Sequence, residues 1–207
     1  MRHSDQLTQG LTALGFDASE SQVQTLLYYL DLLLVTNQSI NLTAIRDFSE
    51  AIDLHLLDSL TLKPWLDQLP SKATILDMGS GAGLPGIPIG IMYPHLQITL
   101  LDARSKKMKA CQSFVNELGL SNVQTTHARI EAWQPQGDLD LIIARAVSQC
   151  DTILQWVESL PFKQLFVMKG LHPTEELANI SMQPKITQVK IPNRSDKRHV
   201  LDFAKNR

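Results

Sequence analysis

Ile75-Leu76-Asp77-Met78-Gly79-Ser80-Gly81-Ala82-Gly83-Leu84-Pro85-Gly86 is an apolar run that breaks into glycines at every second position. Such a run reads as a buried strand ending in a sharp turn, and the residues after it read as the start of a helix. Glycine lets the backbone turn tightly and lets a nucleotide approach with no Cβ in the way.

Outward from this loop, β runs alternate with helical stretches. Strands are predicted over 74–78, 97–101, 123–126, 139–144 and 165–168. Two more, 186–191 and 199–204, are joined by a loop over 192–197. Alternation of this kind implies a parallel sheet covered by helices. The last two strands suggest an antiparallel hairpin at the sheet edge. The plan is α/β: a Rossmann-like, mostly parallel sheet with a terminal antiparallel hairpin, as in class I S-adenosylmethionine-dependent methyltransferases.

Before the loop the chain reads as helices. Ser4 is placed to cap a first helix carrying Leu7, Leu11 and Leu14 and stopped by Gly15. Ser19-Glu20-Ser21-Gln22 is a capping box opening a second helix. A third is predicted from Ser49 to Pro64. The expected division is a helical cap over 1–64 and a methyltransferase core over 65–207. Apolar residues at 43% and charged residues at 19% mark a globular chain. The net charge of −2 is a sum of unlike parts. Residues 1–70 hold 3 Lys/Arg and 9 Asp/Glu, whereas residues 185–207 hold 7 and 2. A near-neutral total therefore does not exclude a nucleic-acid partner; the acidic helices are expected to face away from phosphates. The polar start, Met1 to Gly10, predicts no secretory leader. No apolar stretch approaches the roughly 20 residues that span a bilayer. Cys111 and Cys150 are read as buried thiols of a cytoplasmic protein, with no metal site.

The glycines alone fit two cofactors. Gly81-x-Gly83-x-x-Gly86 has dinucleotide spacing. Gly79-x-Gly81-x-Gly83 after Asp77 has the form of an S-adenosylmethionine loop. A carboxylate there would repel a pyrophosphate and suit the cationic amino group or sulfonium. Alternatively, Asp77 caps the loop backbone. Asp102, at the end of the second strand, is placed to hold ribose hydroxyls, which both cofactors carry.

Cations gather near the strand ends: Arg104, Lys106, Lys107 and Lys109 after Asp102, then Arg129, Arg145 and Lys169, with Arg194, Lys197 and Arg198 in or beside the hairpin. Lys106 to Lys109 fit phosphate contact or a solvated helix face equally well. Arg145 follows an apolar run, so it should be turned into a site or paired. No Asn/Asp-Pro-Pro-aromatic segment follows the fourth strand, and Cys150 lacks the context of a pyrimidine-attacking nucleophile.

The sequence resembles the bacterial small-subunit ribosomal RNA guanine-N7 methyltransferases, the glucose-inhibited division protein B family. The likeness spans nearly the whole chain: Asn41-Leu42-Thr43, His55-Leu56-Leu57-Asp58-Ser59, the glycine loop through Ile87-Pro88, Leu101-Asp102-Ala103 with Lys106-Lys107, Arg129-Ile130-Glu131, Arg145-Ala146, Met168-Lys169-Gly170 and Arg198-His199. One departure is Thr36-Asn37 and Ile40, where members commonly carry Trp-Asn and an aromatic.

The resemblance implies methyl transfer from S-adenosylmethionine to N7 of a guanine in the 530 loop of 16S ribosomal RNA. It implies cofactor contacts at Gly79, Leu84, Ile130, Glu131 and Arg145. With the motif reading, the expected cofactor set also includes Asp77, Gly81, Gly83, Asp102 and Ala103. The expected substrate set is Arg104, Lys106, Arg129, Lys169, Arg198 and His199. The expected partner is 16S ribosomal RNA or the small subunit, with no membrane and a monomeric chain.

Guanine N7 carries a free lone pair, so no acid or base is expected; Arg145 and Lys169 are expected to position. His55 and Asp58, three apart on one helix face, fit either a clamp between the helices and the glycine loop or a hydrogen-bonded pair with no ligand role. The competing readings are a methyltransferase of another RNA, a noncatalytic RNA-binding module and a nicotinamide-dependent oxidoreductase. Tyr28, Tyr29 and Tyr93 all lie in the first half, which disfavours the short-chain form of the last.

Overall fold

The structure, a computed structural model, describes residues 2–170, 174–178, 180 and 182–205. Seven strands form one sheet: β1 (Thr74–Met78), β2 (Gln97–Asp102), β3 (Val123–His127), β4 (Leu139–Arg145), β5 (Phe162–Lys169), β6 (Lys185–Lys190) and β7 (Lys197–Ala204). Their order is β3-β2-β1-β4-β5-β7-β6. The first five run parallel; β7 lies antiparallel to β5, and β6 antiparallel to β7. The hairpin therefore turns back on itself, so that the last strand of the chain lies inside the sheet. β6 forms the edge, where Lys185 and Lys190 discourage further pairing.

Strand side chains alternate between two buried faces, which is why Leu141-Ile142-Ile143-Ala144 is apolar without a break. Ile75, Leu141 and Ile143 join one apolar cluster; Leu76, Met78, Ile142 and Ala144 join the other. The first cluster continues through Leu7, Leu26, Leu30, Ile52 and Leu57, so the N-terminal helices share one core with a face of the sheet.

The N-terminal helices are α1 (His3–Ala13) and α2 (Glu20–Asn37). α1 starts ahead of Ser4, with Arg2 at its N-cap and no side-chain cap bond, which corrects the expected cap. Near Gly15 it ends in a Schellman-type turn, Phe16 N–H reaching Leu11 O at 2.9 Å. The capping box of α2 forms as the sequence implies. The third predicted helix is broken into α3 (Phe48–Ala51), a π-helical turn over Ile52–Leu57, α4 (Asp58–Leu60) and, after a turn, α5 (Lys63–Leu66). The remaining helices are α6 (Gly86–Met92), α7 (Ser105–Glu117), a 3-10 turn over Ile130–Ala132, α8 (Cys150–Val157) and α9 (Thr174–Leu177). Among the described residues, no helix is long and apolar enough to cross a membrane.

Candidate active site

The glycine loop joins β1 to α6 and is stitched to β2. The amides of Gly79 and Ser80 both donate to Leu101 O, at 2.7 and 3.0 Å. The amide of Gly81 donates to Asp102 Oδ2 at 3.0 Å. Gly79 has a φ of 69°, and a Cβ on it would lie 2.8 Å from Val147 Cγ2. Gly83 has a φ of 93°, and its Cβ would lie 2.4 Å from Ile87 Cδ1. At both positions conformation and space exclude a side chain. Tyr29, fully buried in α2, donates its hydroxyl to Ala82 O at 2.9 Å. The helical part thus holds the loop from above.

Two cavities open around this loop and share Gly79, Arg104 and Ala146. The smaller, of about 220 Å³, is bordered by Asp102, Ala103, Ile130, Glu131 and the apolar Met78, Leu101 and Trp156. Asp102 is 4% exposed. Its carboxylate accepts from the Arg104 amide at 2.8 Å and from the Arg104 guanidinium at 3.1 and 3.2 Å. Burial works to raise its pKa, but Arg104 and the Gly81 amide outweigh it and hold the carboxyl below its ordinary range. Arg129 borders this cavity from an exposed position.

The larger cavity, of about 460 Å³, lies between the loop, the 42–45 segment, the π-helical turn and the start of β7. Gly81, Leu84, Lys107, Arg145, Arg198 and His199 border it, together with His55 and Asp58. Asp58 takes one arginine on each oxygen: Arg145 Nη1 on Oδ2 at 2.9 Å and Arg198 Nε on Oδ1 at 3.2 Å. Arg145 Nη1 also donates to Leu54 O at 3.3 Å. Burial, assisted by Arg145, lowers His55 to about 4, so the ring is neutral near pH 7. Its Nδ1 meets Leu54 O at 3.1 Å, which assigns the proton there; Nε2 then accepts from the Thr43 hydroxyl at 2.8 Å. Of the two readings of this pair, His55 is hydrogen-bonded within the fold while bordering the cavity. Asp58 is a clamp, but onto two strand-end arginines rather than onto the glycine loop.

The family model described as "GidB: rRNA small subunit methyltransferase G" matches residues 22–201. The chain is 38% identical over 205 residues to ribosomal RNA small subunit methyltransferase G of Ectopseudomonas mendocina, covering 97% of this chain and 95% of that protein. The Pseudomonas aeruginosa protein of the same name is 36% identical over 204 residues, covering 96% and 94%. The chain belongs to the rRNA small subunit methyltransferase G family. Solved structures with a similar fold include a SAM-dependent methyltransferase from Aquifex aeolicus, with a TM-score of 0.57, 19% identity and coverage of 75% of this chain and 93% of that one. M. capricolum TrmK in complex with S-adenosylhomocysteine gives a TM-score of 0.54 at 14% identity, covering 70% and 68%. These likenesses establish the class I methyltransferase fold.

In this member of the rRNA small subunit methyltransferase G family, four expected site residues lie away from the cavities. Asp77 is fully buried beneath the loop. Its Oδ2 accepts from Gly86 N–H at 2.8 Å, and its Oδ1 has no hydrogen-bond partner among the described residues. Burial pushes this carboxyl up to about 7, against the pull of the Gly86 amide and Arg145. Capping of the loop backbone therefore replaces the expected contact with a cationic cofactor. Gly83 packs on Ile87 and supports the loop from inside. Lys106 is exposed, and Lys107 borders the larger cavity in its place. One residue turns a helical side chain by about 100°, which exchanges the two. Lys169 pairs with Glu176 at 2.7 Å and donates to Ser148 O at 2.9 Å. On β5 it is Met168 that faces the larger cavity, so alternation sends Lys169 to the other side. Lys169, expected to position the substrate, is thus held in an ion pair and borders neither of the two cavities.

Other site residues have no obvious mark in the sequence. Asn37, buried at the end of α2, accepts from the amides of Leu42 and Thr43 and donates to Thr43 O, shaping the segment that walls the larger cavity. Ala146 has a φ of 54°, unusual for a residue with a Cβ, directly after Arg145 and at the junction of the cavities. Cys111 and Cys150 are buried free thiols. Burial, with Glu176 beside it, pushes Cys150 up to about 11, far from a ready nucleophile.

Proposed function

We propose that this chain transfers the methyl group of S-adenosylmethionine to N7 of a guanine in small-subunit ribosomal RNA, at the 530 loop of 16S RNA. The observation that carries the reading is the pair of adjoining cavities meeting at Gly79. The smaller one offers a buried carboxylate and apolar walls, which suit a nucleoside. The larger one offers arginines, which suit an RNA base with its phosphates. The residues present fit the cofactor: the Asp102 carboxylate borders the smaller cavity beside the apolar Met78, Leu101 and Trp156.

When bound, S-adenosylmethionine supplies an electrophilic methyl group. The chain's own residues have a restricted task. Asp102 is to hold the ribose, exchanging its bonds from Arg104, and the loop backbone is to bring the ligand close at Gly79 and Gly81. Arg145 and Arg198 are to hold the target nucleotide from one side. Guanine N7 needs no proton removed, so the acceleration rests on alignment of N7 with the methyl group. Neutral His55 adds no positive charge next to a base that becomes cationic.

The test is methylation of small subunits prepared from cells lacking the enzyme, read by nucleoside mass spectrometry and position mapping. N7-methylguanosine at the 530 loop is the expected product. A methyl group on another atom or another RNA, or tighter binding of NAD than of S-adenosylmethionine, would overturn the assignment.

A further inference from the structure

We propose that Asp58 is a positioning residue for this transfer: its single carboxylate draws two guanidinium groups together and fixes their direction in the larger cavity. The role rests on the methyltransferase reading. Arg145 ends β4 and Arg198 is the second residue of β7, and β5 lies between those strands. Two strand spacings amount to roughly 10 Å. Like charges at that separation have no reason to converge on one point. They do so here because Asp58, the first residue of α4 directly after the π-helical turn, accepts from both. π-helical turns change the aim of the side chains that follow them. This one places Asp58, only 6% exposed, over the pocket.

The bonds made are selective. Arg145 commits only Nη1, to Asp58 and Leu54 O; among the described residues its Nε and Nη2 make no hydrogen bond. Arg198 commits Nε to Asp58 and Nη1 to Lys197 O; among the described residues its Nη2 makes no hydrogen bond. Each arginine is thus anchored through part of its guanidinium, with donors to spare for a base edge or a phosphate.

The charge balance also matters. The three groups together carry one net positive charge rather than two. The reaction moves a positive charge from sulfur to the base, so an uncompensated pair of guanidinium groups alongside would oppose the product.

Asp58→Asn keeps the shape and removes the charge. At saturating cofactor, kcat for methylation of small-subunit RNA is expected to fall about tenfold or more, as loss of aligned geometry does. In the Arg198→Gln background only one guanidinium remains to align. There the same substitution is expected to cost less than about threefold. Asp58→Glu keeps the charge and lengthens the arm. It is expected to preserve the melting temperature yet lower kcat, which a purely structural ion pair would not do.

Wild-type turnover is measured alongside. No methylation by the wild type overturns the methyltransferase reading and this role with it. An active wild type with Asp58→Asn within about threefold of its kcat overturns the role of Asp58 alone. Equal losses in both backgrounds do the same. If Asp58→Asn does not fold, the decision passes to Asp58→Glu, whose unchanged kcat overturns the role.

Discussion

Replacing Asp77 by Asn should stabilise the protein increasingly as pH rises. The carboxyl is fully buried and only one of its oxygens has a hydrogen bond, from the Gly86 amide, among the described residues. Its pKa moves from the ordinary 3.8 to about 7 on folding, chiefly through burial. A raised pKa means that the folded state holds the proton more tightly than the unfolded one. The favourable contribution is complete below pH 4 and is lost as pH rises through 7. At 1.36 kcal/mol per unit, the accumulated cost to the wild type is on the order of 2 kcal/mol at pH 5 and 4 kcal/mol at pH 8. Asn keeps an oxygen for the Gly86 amide and has no charge to lose. The stability difference between variant and wild type should therefore move in favour of Asp77→Asn by roughly 2–3 kcal/mol between pH 5 and pH 8. Urea unfolding of both proteins at several pH values measures this directly. A difference that stays flat across that range would refute the reasoning. It would mean that water or a local rearrangement solvates the carboxylate.

Four further substitutions test the site. Gly79→Ala sets a Cβ against Val147 and forces a left-handed backbone on alanine, at a cost of about 1–2 kcal/mol for the backbone alone. Calorimetric titration with S-adenosylmethionine should show weak or no binding. Tyr29→Phe leaves Ala82 O without its buried donor and should cost about 1–3 kcal/mol in urea unfolding, with weaker cofactor binding because the loop loses its brace. Lys107→Ala should reduce methylation while Lys106→Ala leaves it nearly unchanged, since only Lys107 borders the cavity; equal effects in a turnover assay would contradict the placement.

Much of the molecule is legible in its sequence for local reasons. The capping box at Ser19, the glycine spacing at 79–83 and the acid at the end of β2 are short-range patterns that a few neighbouring residues suffice to produce. The alternation of strands and helices implies the sheet without any knowledge of its contacts. The third predicted helix shows the limit. Its apolar spacing continues through 52–60, but the chain takes a π-helical turn there, and the polar partners of His55 and Asp58 lie in other segments.

The division of charge is legible only in part. Totals by segment show an acidic helical part and a basic end. They do not show the two meeting, as they do where Asp58 bonds Arg198, 140 residues away.

By itself the sequence determines the fold class, the cofactor loop and the family, because each resides in contiguous motifs. Only the tertiary structure decides which of two adjacent residues enters the site. Lys107 rather than Lys106, and Met168 rather than Lys169, follow from the orientation of a helix and a strand against their neighbours. Asp77 caps the loop for a related reason: burial depends on what packs above a strand end, and the sequence near Asp77 does not carry that information. The Arg145–Asp58–Arg198 cluster depends on β7 being inserted between β5 and β6, a choice made by pairing across the whole sheet.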